Sequence, residues 1–174
     1  MAVQGMGGSG KSILAAALVL RNKELWQFFP DGIFWIRLGK DADPKLLQRQ
    51  LGLAQSLGDK KGFQDLEMGR ERLKELLGER RVLIVLDDLW KSDHFLPFDC
   101  LGPNCRMMVT TRDLALVKEL DFEEQNVHKL GLLDAAQSGE MLANYAGKRP
   151  DAAIESQVIK ECGRLPLALA MIGG

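Results

Sequence analysis

The residues with the clearest chemistry are Gly5-Met6-Gly7-Gly8-Ser9-Gly10-Lys11-Ser12. They fit G-x-x-x-x-G-K-[ST], the pattern of a phosphate-binding loop. Gly5, Gly7, Gly8 and Gly10 carry no Cβ, so the backbone can take positive φ and approach a ligand closely. Successive N–H groups in such a loop turn inward and form a nest for phosphate oxygens. A helix starting near Lys11 adds unpaired N–H groups and the positive end of its dipole. Lys11 would bring a full positive charge to the outer phosphates, and Ser12 would place its hydroxyl on a Mg²⁺ ion.

A second stretch joins it. Val82-Leu83-Ile84-Val85-Leu86 is continuously apolar, as in a strand buried on both faces of a parallel sheet, and it ends in Asp87-Asp88-Leu89-Trp90. Open α/β sheets bind ligands at the C-terminal ends of their strands. Asp87 there could bind Mg²⁺ through water. Asp88 could orient or deprotonate an attacking water. On its own an Asp pair after a strand reads as a turn or a helix cap; the phosphate loop upstream favours the chemical role. A third stretch, Arg106-Met107-Met108-Val109-Thr110-Thr111-Arg112, is a short strand ending in hydroxyls and a cation, and Arg112 could reach a terminal phosphate.

Other candidates read as structural. Trp35 lies in an apolar run with nothing basic around it and is assigned to the core. His128 has no nucleophile beside it. His94, Cys100 and Cys105 match no usual zinc spacing.

The elements that must position these groups follow from composition and spacing. Ile13 to Leu20 is rich in Ala and Leu and predicts a helix. Trp26, Phe28 and Phe29 lead into the turn Pro30-Asp31-Gly32, and Ile33 to Leu38 reads as a mostly buried strand. Asp43-Pro44 opens a helix, with Asp43 as its N-cap and Pro44 in its first position. Leu46, Leu47, Leu51, Ala54 and Leu57 then recur at helical spacing. Asp65 to Leu77 is a second amphipathic helix. Leu96 to Pro103 reads as loop, Leu114 to Leu120 as a short helix and Asn126 to Leu130 as a fifth strand. From Leu133 the pattern is helical: to about Tyr145, from Asp151 to Cys162, and again from Gly163, with Pro166 allowed in a first turn. Leu165 to Ile172 is apolar on every side, which calls for burial.

The chain has 174 residues, of which 46% are hydrophobic and 27% charged, values ordinary for a globular domain. A formal net charge of −1 gives no electrostatic case for nucleic acid or membrane binding. No run of about 18 apolar residues is present, so no membrane span is expected. The three cysteines, an odd number in a phosphate-handling chain, point to reduced thiols and a cytoplasmic setting.

Gly5 to Ser12, Leu83 to Trp90, Val109 to Arg112 and Gly163 to Ala168, in this order, resemble the NB-ARC domain, the nucleotide-binding switch of plant disease-resistance proteins and animal apoptosis activators within the STAND class of P-loop NTPases. Pro30 to Leu38 resembles that family's second strand. The resemblance implies an α/β fold, with a five-stranded parallel sheet flanked by helices over residues 1–131 and the start of a small helical subdomain over 132–174. It implies ADP or ATP with Mg²⁺, slow hydrolysis, and an exchange of ADP for ATP that opens the molecule and permits homo-oligomerisation. By position, the nucleotide set is Gly5, Gly7, Gly8, Ser9, Gly10, Lys11, Ser12, Ile13, the sensor Arg112 and Pro166. Ser12 and Asp87 are the metal set, and Asp88 is the catalytic acid. Family segments ahead of the first strand, and a winged-helix domain, have no counterpart here, so flanking domains of the same protein are the expected partners. Two other readings stay open at this point: a P-loop small-molecule kinase, and a non-hydrolysing oligomerisation module supported by nucleotide.

Overall fold

The run at Val82 to Leu86 is apolar without interruption because it is covered on both sides. In the computed structural model, which describes residues 1–174, it forms the greater part of β3 (Leu83–Leu89). The other strands are β1 (Ala2–Gly5), β2 (Ile33–Arg37), β4 (Arg106–Thr111) and β5 (Val127–Leu130). The sheet order is β2-β3-β4-β1-β5, and the pairs β2/β3, β3/β4 and β1/β4 are parallel. This is the expected five-stranded α/β architecture. The strand that ends in Arg112 therefore lies between the strand that feeds the phosphate loop and the strand that ends in the aspartates.

Side chains along a strand alternate between its faces. Ile84 and Leu86 pack into one cluster with Ile36, Leu53, Leu73, Leu77, Phe98 and Val109. That cluster is covered by α3 (Leu46–Ser56) and α4 (Leu66–Leu77). Leu83 and Val85 join Met108 on the opposite face, where Ala15 and Val19 of α1 (Lys11–Arg21) meet them. Asp65 caps α4 by accepting the Met68 amide at 2.8 Å.

The chain divides into two compact units. One comprises Met1–Gln4 and Ser12–His128; the other comprises Gly5–Lys11 and Lys129–Gly174. Within the second, α6 (Ala135–Ala146) opens with a capping box in which Asp134 and Gln137 exchange hydrogen bonds. It is followed by α7 (Ala152–Glu161) and α8 (Pro166–Gly173). On α8, Leu169 is fully buried while Met171 and Ile172 are 75% and 60% exposed, so the apolar run is covered on one side only. No helix is long and apolar enough to cross a membrane.

Three local readings are corrected and one unassigned stretch gains an element. Trp35 is 39% exposed rather than core, because β2 is an edge strand with a neighbour on one side only. Asp43 does not cap α3. It starts a 3-10 turn, Asp43–Lys45, and its carboxylate is drawn to Lys91 at 3.0 Å and to His94 Nε2 at 3.2 Å. Trp26 and Phe28 lie in a helix, α2 (Lys23–Phe28), capped by Asn22, which accepts the amides of Glu24 and Leu25. The expected loop after Leu96 begins with a 3-10 turn, Leu96–Phe98, that buries Phe98. Beyond it lies the short helix α5 (Leu114–Glu119), capped by Asp113.

Candidate nucleotide-binding site

The phosphate loop joins β1 to α1. Gly8 and Gly10 have φ of 79° and 94°, a region that side chains strongly disfavour. A Cβ on Gly8 would also stand 3.1 Å from the Leu167 Cβ and 3.2 Å from Leu165 Cδ2, so the loop is closely backed by the segment around Pro166. Pro166 opens α8, and Leu167, the next residue, donates its amide to the Gly8 carbonyl at 3.2 Å. An orphan donor of the first helical turn is thereby satisfied by the loop.

Lys11 is 7% exposed, and its ammonium donates to the carbonyls of Gly5 and Met6, each at 2.8 Å. These bonds fold the long side chain back over its own loop. Ser9 is buried, and its Oγ has no hydrogen-bond partner. An unpartnered buried hydroxyl costs free energy unless a ligand completes it. Ile13 is 75% exposed on the first turn of α1.

In the unit that holds Ser12, the acidic strand end is organised by hydroxyls. Ser12 Oγ donates to Asp87 Oδ1 at 2.6 Å, and Thr110 Oγ1 donates to the same oxygen at 2.6 Å. Asp87 is 4% exposed, so this carboxylate is held by two short charge-assisted bonds. The Thr110 hydroxyl also accepts the Asp88 amide at 2.9 Å. Asp88 has φ 59°, and the β3/β4 register shifts between Leu86 and Leu89. A local bulge of this kind turns consecutive side chains out of strict alternation, which lets two adjacent aspartates serve one strand end. Thr111 anchors the other side by donating to the Leu89 carbonyl at 2.8 Å.

Arg112 follows directly. Its Nε is 3.7 Å from Asp88 Oδ1, and its guanidinium carbon is 5.0 Å from the centre of the Trp90 ring. Lys40, from the segment after β2, brings its Nζ to 6.0 Å from the same ring.

In one unit the groups suit phosphate oxygens; in the other they suit a hard cation. The positive-φ glycines, the Ser9 hydroxyl without a partner and the Lys11 ammonium are donors for phosphate oxygens. Ser12 and Asp87 are hard oxygen ligands of the kind Mg²⁺ prefers. Away from these groups, burial pushes the Cys100 thiol up to about 12, so that thiol stays protonated at neutral pH.

The model of the NB-ARC domain matches residues 1–152. The chain belongs to the NB-ARC family. Among relatives, the NB-ARC chain is 33% identical over 184 residues to apoptotic protease-activating factor 1 of Danio rerio, covering 98% of this chain and 14% of that protein. It is 31% identical over 189 residues to TMV resistance protein N of Nicotiana glutinosa, covering 99% and 16%. It thus spans only a small part of the length of the curated relatives it matches. In fold it is similar to the Orc1 protein of Aeropyrum pernix, solved in complex with DNA, with TM-score 0.64 and 16% identity, covering 99% of this chain and 52% of that one. It is similar also to a STAND protein with a tetratricopeptide repeat sensor from Pyrococcus horikoshii, with TM-score 0.57 and 17% identity, covering 97% and 26%.

Within the NB-ARC chain, Ser12, Asp87, Asp88 and Arg112 come together in one unit, and Gly5 to Lys11 come together with Pro166 in the other. Residue-type reasoning missed Thr110, Trp90 and Lys40. The hydroxyl pair at the end of β4 was the signal for Thr110; no local signal links Lys40 to Trp90.

Proposed function

We propose that this NB-ARC domain is an ADP/ATP-binding regulatory switch with slow Mg²⁺-dependent ATP hydrolysis. Exchange of ADP for ATP would open the full-length protein in the cytoplasm and permit homo-oligomerisation in signalling or defence. The observation that carries the reading is the Ser12–Asp87 pair. Its 2.6 Å hydroxyl-to-carboxylate bond commits the Ser12 proton to Asp87 and leaves the Ser12 oxygen lone pairs for a hard cation. Bound Mg²⁺ would supply neutralisation of the phosphate oxygens.

In this reading Lys11 exchanges its two carbonyl partners for phosphate oxygens, and Ser9 gains the acceptor it lacks. The amides of Gly7, Gly8 and Gly10 contribute fixed donors. Pro166 packs beside the nucleotide, and Ile13 contacts it from the start of α1. Asp88 orients or deprotonates the attacking water. Arg112 contacts the γ-phosphate through its planar fork. A ligand shifts a two-state equilibrium only through differential affinity, and the γ-phosphate is the difference between ADP and ATP. The likeness to apoptotic protease-activating factor 1 and to TMV resistance protein N supports a signalling or defence role.

One observation favours the non-hydrolysing alternative. Asp88 Oδ1 faces the Arg112 guanidinium, with Nε at 3.7 Å, rather than being left to an attacking water alone. Two measurements test the proposal: the identity of the nucleotide released when the purified full-length protein is denatured, and single-turnover hydrolysis of radiolabelled ATP. Released ADP with measurable turnover supports it. A protein that releases no nucleotide and binds none overturns it, and tight ATP binding without turnover selects the non-hydrolysing module.

A further inference from the structure

Trp90 is the last residue of the acidic strand-end motif, and the reading above gives it no role. Its Nε1 is sealed from solvent and has no hydrogen-bond partner, so nothing orients the indole through its polar atom. What the ring presents is its face. The Arg112 guanidinium carbon lies 5.0 Å from its centroid, inside the ~6 Å range over which the ring quadrupole attracts a cation.

The surroundings leave the Arg112 side chain few other anchors. Its main chain is fixed: the Arg112 carbonyl accepts from Gln4 Nε2 at 3.1 Å, and neighbouring Thr111 is bonded to the Leu89 carbonyl. The side chain itself is 48% exposed, and its 3.7 Å approach to Asp88 is longer than a hydrogen bond. An arginine held only at its backbone spreads over many rotamers and must lose that freedom when it engages an anion. Stacked on indole, the guanidinium is already confined to a plane, so less freedom is lost on binding.

We infer that Trp90 is a positioning residue: its ring holds the Arg112 guanidinium at the strand ends and so sets the preference of the site for ATP over ADP. The inference rests on the reading that Arg112 contacts the γ-phosphate. Tryptophan gives the strongest cation–π contact, phenylalanine a weaker one and leucine none.

The test is a mutant cycle in the intact protein, with affinities for ADP and for a non-hydrolysable ATP analogue measured on wild type, Trp90→Phe, Trp90→Leu, Arg112→Ala and the Trp90→Leu/Arg112→Ala double variant. ADP affinity serves as the control for folding. Trp90→Leu is expected to lower the preference for the ATP analogue by about two- to fivefold with ADP unchanged, the scale of one exposed cation–π contact. Trp90→Phe should keep part of the preference, and the double variant should lose no more than Arg112→Ala alone. In the unliganded protein, the ring-current shift of the Arg112 side-chain protons in NMR spectra should disappear in Trp90→Leu. Equal losses for the two nucleotides, or an undiminished Trp90→Leu effect when Arg112 is already alanine, would make Trp90 a packing residue and overturn the inference. A preference lost in Arg112→Ala but intact in Trp90→Leu overturns the positioning role and leaves the γ-phosphate reading standing. A preference unchanged in Arg112→Ala overturns that reading and, with it, the inference.

Discussion

Thr110 donates its hydroxyl to Asp87 Oδ1 at 2.6 Å, with both residues almost wholly buried. Replacing it with valine keeps the shape and removes the donor. A buried hydrogen bond to a charged group contributes about 1.5–3 kcal/mol. Thr110→Val is therefore expected to lower unfolding stability by that amount in urea titrations, and to weaken Mg²⁺-dependent nucleotide binding. Wild-type stability in the variant would show that Ser12 alone holds the carboxylate.

Lys11 is predicted to act on phosphates common to both nucleotides. Loss of one charge-assisted contact of about 1.5–3 kcal/mol corresponds to roughly ten- to a hundredfold in affinity. Lys11→Ala should weaken ADP and ATP alike in titration calorimetry, and unchanged binding of both would remove Lys11 from the site.

The two aspartates should separate in function. Asp87 is bonded to Ser12 and Thr110, whereas Asp88 is half-buried and faces Arg112. Asp87→Asn is expected to blunt the magnesium dependence of binding. Asp88→Asn should bind Mg-ATP nearly normally and lose turnover. Indistinguishable variants would contradict this division.

Arg112→Ala should leave ADP affinity within about twofold while ATP binding weakens by about 1.5–3 kcal/mol. Equal losses for both nucleotides would make Arg112 structural.

Acid sensitivity has a separate source. The Arg72 guanidinium bonds Asp59 Oδ1 through Nε at 3.0 Å and Nη2 at 2.7 Å, and it holds that carboxyl below its ordinary range, helped by the amides of Gly62 and Lys61. A carboxyl depressed in the folded state stabilises it above the unfolded pKa of about 3.9, and that contribution is lost as pH falls through the folded value. Asp59→Asn should therefore flatten the fall in urea midpoint below about pH 4 and leave the slope near neutrality unchanged. An unaltered acid limb would assign the effect to other carboxyls.

The sheet was legible because its inner strands are signalled locally. Val82 to Leu86 and Met107 to Val109 are unbroken apolar runs, and burial on two faces produces no other pattern. The phosphate loop was legible because glycine spacing before Lys-Ser has few other uses. The exposure of Trp35 was not legible, since its burial depends on which strand ends the sheet. Asp43-Pro44 has the local form of a helix start, but Lys91 and His94, far along the chain, draw its carboxylate away. Asn22 was a readable cap for α2, obscured by the aromatic run after it. Thr110 reaches Asp87 and Asp88 only through the shifted β3/β4 register, which no local pattern encodes.

The bond between the Gly8 carbonyl and the Leu167 amide has a consequence in time. Ribosomes deliver the glycine loop near the start of this sequence and α8 near its end, and β1 pairs with β4 only after Arg106–Thr111 have emerged. Contacts of such sequence separation form late and slowly. The loop, made before the elements that back it, is therefore among the last parts of this domain to be completed. A nascent chain halted before Leu167 carries every residue of that loop without the helix turn that backs it.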